Sequence, residues 1–271
     1  MTRRAATLLL VGCGRMGGAL LDGWLERGSA SSLHVVEPAA AARFAGRPGV
    51  TLHEAAGELA DGLAPDVVIF AVKPQVMAEV VPAYRRFASP TTVFLSIAAG
   101  KTLRFFANHL GTAAAVVRAM PNTPASVGRG ITVCCPGPAV TGAQRELCQS
   151  LLDAVGEVGW VEDEALIDAV TAVSGSGPAY VFHLVEALAE AGEEAGLPAE
   201  LAMRLARATV VGAGELLRLS PESAATLREN VTSPKGTTYA ALQVLMADDG
   251  LPALMRKAVA AAADRSRELA D

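Results

Sequence analysis

Three glycines in the run Gly12-Cys13-Gly14-Arg15-Met16-Gly17 follow a short apolar segment, Thr7–Val11, and precede a stretch of helical character through Ala19, Leu20 and Trp24. Strand, glycine turn and helix in that order suit the binding of a phosphorylated ligand, because a helix start leaves N–H groups unpaired and carries the positive end of the helix dipole. Gly12 permits the tight turn, Gly14 lets the backbone approach a pyrophosphate, and Gly17 lets the helix close on the strand. Gly12, Cys13, Gly14, Arg15, Met16 and Gly17 are therefore the expected contacts of a dinucleotide cofactor. Glu37 follows Gly17 by 20 residues, at the end of the second apolar run. A carboxylate there hydrogen-bonds an adenosine ribose 2′-OH and repels a 2′-phosphate. The sequence equally allows Glu37 to point into water ahead of Pro38. Arg43 and Arg47 are within reach of a 2′-phosphate, so NADH is favoured and NADPH stays open.

Further along, Ala71-Val72-Lys73-Pro74-Gln75 ends the fourth apolar run, where ligands of open parallel sheets bind. Ala71, Val72, Lys73 and Pro74 join the expected cofactor contacts, Lys73 beside phosphate or ribose. Ser96-Ile97-Ala98-Ala99-Gly100 supplies small residues, so Ile97, Ala98 and Ala99 allow a flat ring to come close. Met120-Pro121-Asn122-Thr123-Pro124 adds a rigid polar loop, with Asn122 on the cofactor face.

Two later segments share one grammar. Ser174-Gly175-Ser176-Gly177-Pro178 and Thr232-Ser233-Pro234-Lys235-Gly236-Thr237-Thr238 both place small polar residues and a proline at an expected helix start. Such starts suit a carboxylate. No Ser-His-Asp order or carboxylate pair stands out, and no metal is expected, since His34, His53 and His109 have no partners at ligand spacing. The helix Tyr180-Val181-Phe182-His183-Leu184-Val185-Glu186 has no lysine to serve as acid or base. His183 there is one candidate acid, although within an apolar stretch it reads first as a hydrogen-bonded packing residue. An imine removes the need for such a group, because a C=N nitrogen can already carry its proton and then requires only orientation and one hydrogen bond. Thr238 can give that bond.

These residues need elements to hold them. Apolar runs at Thr7–Val11, Leu33–Val36, Val50–His53, Asp66–Val72, Thr91–Ile97 and Ala114–Ala119 alternate with helical stretches, which predicts a parallel sheet with crossover helices. Two further strands are expected near Ile131–Cys135 and Val158–Val161. Beyond residue 162 the pattern is helical only, at 164–173, 178–195, 199–218, 222–229, 234–247 and 252–269. The fold class expected is an α/β Rossmann-type dinucleotide-binding domain, residues 1–162, followed by an all-α dimerisation and substrate-binding domain, residues 163–271. Ala208-Thr209-Val210-Val211-Gly212-Ala213-Gly214 has no charge on any face, so a partner subunit is expected to cover it, the alternative being a helix buried wholly within its own chain.

Composition narrows the partners. Net charge is −5, with 14 Lys/Arg against 11 Asp/Glu in residues 1–160 and 9 against 17 in residues 161–271, which argues against bulk nucleic-acid binding. No apolar run nears the roughly 20 residues that cross a bilayer, and Met1-Thr2-Arg3-Arg4-Ala5-Ala6 leads directly into the first strand, so no membrane partner is expected. Four cysteines without Cys-x-x-Cys spacing fit a cytoplasmic, reducing setting.

Together, Val11-Gly12-Cys13-Gly14-Arg15-Met16-Gly17, Ala71–Gln75, Ser96–Gly100, Arg118–Pro124, Ala172–Tyr180 and Val231–Thr238 resemble pyrroline-5-carboxylate reductases, in order and over nearly the whole chain. The resemblance implies hydride transfer from NADPH or NADH to the C=N carbon of 1-pyrroline-5-carboxylate, giving L-proline in the last step of proline biosynthesis. It further implies that amides around Gly236 and Thr237 hold the carboxylate with Ser233 and Ser176 nearby, that the Thr238 hydroxyl meets the ring nitrogen, and that Asn230 lies near the nicotinamide ribose. A homo-oligomer is implied, an interlocked dimer or a ring of dimers. Two positions depart from the family pattern. Lys235 stands where Gly-Gly usually follows Ser-Pro, and is expected at the exposed start of a helix rather than at a positive φ. Glu37 replaces the small or polar residues that suit NADPH. A hydroxyacid or other cyclic-imine reductase, and a non-catalytic dinucleotide sensor, remain as alternatives.

Overall fold

The computed structural model of the chain describes residues 6–38, 44 and 46–270. Arg43, and residues 1–5 ahead of the first strand, lie outside them. Eight strands form one sheet: β1 Ala6–Val11, β2 Ala30–Val36, β3 Val50–His53, β4 Val67–Phe70, β5 Val93–Ser96, β6 Ala115–Met120, β7 Gly130–Pro136 and β8 Gly156–Trp160, in the order β3-β2-β1-β4-β5-β6-β7-β8. The first six run parallel, while β7 pairs antiparallel with β6 and β8 lies parallel to β7. The reversal has a local cause. Only residues 121–129 separate β6 from β7, and they hold one tight helical turn, Thr123–Val127, too short for the crossover that a parallel neighbour needs.

The consecutive apolar residues of β4 are all buried. Alternate side chains feed two cores. Leu8, Leu10, Ile69, Leu95 and Val117 pack with Leu20, Leu21 and Trp24 of helix α1, Arg15–Arg27. Leu9, Val11, Val68, Phe70 and Phe94 pack on the other face with Met77 of the short helix α2, Met77–Val80, and with Phe105 and Phe106 of α3, Leu103–Leu110. Burial of each large side chain contributes about 1.5–3 kcal/mol, so a strand covered on both faces is a rigid platform for the loop at its end. Helix α4, Gly142–Leu152, begins with a capping box in which Thr141 and Gln144 bond each other's backbone N–H. Its Leu151 carbonyl accepts the indole N–H of Trp24 at 2.8 Å, tying α4 to α1.

The rest is helical: α5 Leu166–Val170, α6 Gly177–Glu194, α7 Ala199–Leu219, α8 Ala224–Asn230, α9 Thr237–Leu245 and α10 Leu251–Glu268. Two local expectations change. The helix expected over 164–173 is α-helical only at Leu166–Val170 and continues past 173 as a π-helical turn, Thr171–Gly175, that leads through Ser176 into α6. The last long helix but one starts at Thr237 rather than at 234, because Pro234 occupies a turn closed by the Gly236 N–H on the Ser233 carbonyl at 3.0 Å.

The chain divides into two compact units, residues 1–175 with 263–271, and residues 176–262. Loss of strand alternation puts a boundary at 162/163, while the compact units count α5 and the chain's last residues with the sheet. In the second unit α6 packs on α7 around a cavity of about 410 Å³ lined by Leu188, Ala191, Leu197, Leu205 and Thr209. The uncharged stretch 208–214 is open to solvent within the single chain, with Val211 72% exposed.

Candidate active site

The glycine turn sits where the strand order reverses, between β1 and its neighbours β2 and β4. Gly12 has φ 90, and a Cβ there would lie 2.7 Å from the Val72 side chain and 2.8 Å from its backbone nitrogen. Only glycine fits. A Cβ on Gly17 would meet the Gly12 carbonyl at 2.5 Å, so the pair sets how closely α1 approaches the strand ends. Gly14 contrasts with both: it is exposed, it is the N-cap of α1 without any side-chain cap, and open space lies where its Cβ would be. Gly18 is the first residue to bond within the helix, to the Gly14 carbonyl at 2.8 Å. The amides of Arg15, Met16 and Gly17 have no acceptor among the described residues, leaving an anion cradle at the positive end of a 13-residue helix.

Glu37 does not simply point into water. Its Oε2 accepts the Cys13 N–H at 2.9 Å, so the carboxylate closes one side of the glycine turn, and its own N–H bonds the His53 carbonyl at 3.1 Å. A carboxylate in that place suits a ribose diol and opposes a second phosphate. Arg47 is committed elsewhere, holding Asp22 of α1 at 2.5 Å with its guanidinium over Phe44.

The remaining residues on this sheet edge are ordered by the strand ends. Ala71 extends β4 by bonding Val11 at 2.8 Å, and exposed Lys73 leads into a short turn, Pro74–Val76. After β5, Ile97 bonds the Phe70 carbonyl at 3.1 Å and Ala98 the buried Ser96 hydroxyl at 3.3 Å, leaving Ala99 exposed. Asn122 acts as a strut: its Oδ1 accepts the Ile131 N–H at 3.0 Å and its Nδ2 donates to Ser174 in the π-helical turn at 3.3 Å. These residues fit a dinucleotide, with an uncapped helix start, a glycine whose missing Cβ leaves room, and a carboxylate at one flank.

In the helical unit, Gly236 is the N-cap of α9, again with no side-chain cap, and Ala240 is the first to bond back, at 3.1 Å. The amides of Thr237 and Thr238 and the Thr238 hydroxyl have no partner among the described residues. Lys235, expected at a helix start, instead lies in the preceding turn at φ 59, the one non-glycine at positive φ among the described residues. A proline followed by a left-handed residue is turn geometry that glycine fills without strain, and lysine there costs about 1 kcal/mol. Ser233 packs beside Gly236 in that turn, so close that a Cβ on Gly236 would collide with its hydroxyl. Asn230 donates to Glu222 at 3.2 Å, and Ser176 accepts the Ala179 N–H at 3.0 Å. His183 is exposed and bonds Glu186 at 3.0 Å, so it is no packing residue within the chain.

Comparison with known proteins gives this arrangement a family. Residues 164–269 match the family model described as pyrroline-5-carboxylate reductase dimerisation, and residues 7–100 match that of NADP oxidoreductase, coenzyme F420-dependent. The pyrroline-5-carboxylate reductase of Pseudomonas aeruginosa is 41% identical over 268 residues, covering 97% of both chains. The chain belongs to the pyrroline-5-carboxylate reductase family. Among solved structures of such reductases, that from Coxiella burnetii is 35% identical with a TM-score of 0.92, covering 98% of this chain and 99% of its own. The Plasmodium falciparum pyrroline carboxylate reductase with NADP bound is 27% identical with a TM-score of 0.81, covering 99% of each.

Two clusters in this family member escape the sequence reading. Arg118, only 3% exposed, bonds Glu164 at 2.9 Å, and the same carboxylate oxygen accepts the Leu103 N–H at 2.8 Å. An arginine amid the apolar residues of β6 was the available signal. His34 and His53 share a hydrogen bond of 3.1 Å on neighbouring strands, and burial followed by the His53 charge lowers the His34 pKa. They lie 19 residues apart, so only the parallel pairing of β2 with β3 joins them. The cysteines are thiols, with Cys148 pushed up to about 12 by burial.

Proposed function

We infer that this chain is a pyrroline-5-carboxylate reductase, reducing 1-pyrroline-5-carboxylate to L-proline with NADPH or NADH in the last step of proline biosynthesis. The observation that carries the reading is the pair of glycine-opened, uncapped helix starts at α1 and α9, one suited to a pyrophosphate and the other to a carboxylate. When bound, the coenzyme supplies the hydride. The chain's own residues bind and orient. Gly12, Cys13, Gly14, Arg15, Met16 and Gly17 surround the pyrophosphate, with Ala71, Val72, Lys73 and Pro74 along its flank, and Ile97, Ala98 and Ala99 leave room for the nicotinamide. Asn122 acts by holding its loop, and Asn230 reaches the nicotinamide ribose on leaving Glu222.

On the substrate side, the amides of Thr237 and Thr238 hold the carboxylate, with Gly236, Ser233 and Ser176 beside it. The Thr238 hydroxyl accepts the N–H of the protonated ring nitrogen, which keeps that proton through reduction. No separate acid is required. Glu37 at the glycine turn supports a preference for NADH over NADPH. The chain forms a homo-oligomer, and the exposed apolar faces of α7 and α9 support a dimer, alone or within a ring of dimers. Thiol cysteines support a cytoplasmic setting. Among the described residues, no helix is long and apolar enough to cross a membrane.

The test is coenzyme oxidation with pyrroline-5-carboxylate, run with NADH and NADPH in parallel. Both should be oxidised, NADH with the higher kcat/KM, and Glu37→Ser should move the ratio towards NADPH by about tenfold. No oxidation with either coenzyme rejects the activity. An unmoved ratio rejects the role of Glu37 alone.

A further inference from the structure

The loop after β5 is fastened at both ends, by Ser96 at Ala98, and by the Thr102 cap on Phe105 and Glu164 on Leu103, at 3.1 and 2.8 Å. Between these points stands Gly100, buried with φ 74, and its contact comes from the far end of the chain. A Cβ on Gly100 would lie 2.7 Å from the carbonyl oxygen of Leu269, just past α10. That last turn is itself anchored: Ser266, 8% exposed, donates to Asp168 Oδ1 of α5 at 2.6 Å, and Ala263 is buried one turn earlier. Residues 263–271 thereby belong to the compact unit that carries the sheet.

We propose that the end of α10 is a positioning element for the coenzyme, in which Ser266 on Asp168 fixes the last turn and the Leu269 carbonyl buttresses Gly100. The buttress sets the height of Ile97, Ala98 and Ala99 above the end of β5. The proposal rests on the reading of those three residues as coenzyme-facing. Neither Ser266 nor Leu269 touches coenzyme or substrate in it, so both are positioning residues. A backbone carbonyl suits this work because it is placed by the helix and does not depend on a side-chain rotamer.

The test compares the full chain with one ended after Glu268, each with and without Gly100→Ala. Ending at Glu268 should raise the coenzyme KM about fivefold, with kcat and the pyrroline-5-carboxylate KM within about twofold. Gly100→Ala should cost about tenfold in coenzyme KM in the full chain and distinctly less in the shortened one, because the collision partner has gone. Ser266→Ala should raise the coenzyme KM by about threefold, and Asp168→Asn, which keeps the acceptor oxygen, should not. Strictly multiplicative effects of Gly100→Ala and shortening overturn the proposal, as does a fall in Tm with unchanged coenzyme KM. Ala99→Leu separates the two levels. If it leaves the coenzyme KM unchanged, the reading of the loop fails and takes the proposal with it; if it raises KM while the other effects stay multiplicative, the buttress alone is rejected.

Discussion

Helix α1 starts at Gly14 and helix α9 at Gly236, both without a side-chain cap, yet their supports differ. Beneath α1, Gly12 and Gly17 press on Val72 and on each other, Glu37 closes the flank, and both sheet faces are packed. Around α9, by contrast, Val231, Tyr239 and Val244 are exposed, Val244 by 72%, and the approach turn holds a strained lysine. The same local device is thus braced within one chain at α1 and left with exposed apolar flanks at α9. A dinucleotide cradle can be built from one sheet and one helix. If α9 holds the carboxylate as proposed, its bare apolar sides call for a second surface, which a homo-oligomer supplies.

The sharpest way to break this contrast is Gly12→Ala. With no room for a Cβ and φ at 90, coenzyme affinity should fall by about a hundredfold or more and Tm should drop, read by titration of coenzyme and by thermal melting. A mild effect would mean that the glycine turn is as pliable as the other one. Next comes Thr238→Val, which removes one hydroxyl at the open site. The kcat should drop about 10–100-fold while coenzyme Kd stays within about twofold, and a parallel loss of coenzyme affinity would contradict the division of labour. Smallest is Lys235→Gly. Relief of the left-handed lysine is partly offset by the freer unfolded chain, so denaturant unfolding should show a gain of about 0.5 kcal/mol. A loss instead would show that the lysine side chain stabilises its turn. The pyrroline-5-carboxylate KM of the same variant reports whether the charge of Lys235 also serves the carboxylate.

How much was legible varies with the range of the interaction. All eight strands show in the apolar runs, most plainly β4, β5 and β6, where burial on both faces leaves consecutive apolar residues in place of alternation, and least plainly the half-buried edge strands β3 and β8. Gly12 and Gly17 are readable as a tight turn and a close approach of helix to strand, since strand, glycine turn and helix follow one another directly in the chain. Lys235 was misplaced because Ser-Pro marks a helix N-terminus and a turn equally well, and the choice depends on where the Ser233 carbonyl finds a donor. Arg118 with Glu164, 46 residues apart, and Ser266 with Asp168, 98 apart, leave no periodic trace, since a single polar pair sets no pattern in either segment.

Composition, periodicity and motif order by themselves determined an α/β domain followed by helices, the glycine cradle and the threonine-rich turn, because those come from short-range rules of strand burial and helix starts. The tertiary structure alone decided that Glu37 turns onto Cys13, that Asn122 is spent as a strut, that β7 reverses, and that the chain's last turn leans on Gly100. Each of these depends on which distant backbone groups arrive within about 3 Å of one another, and hydrogen bonds and steric contacts at that range are fixed by packing, not by neighbours in sequence.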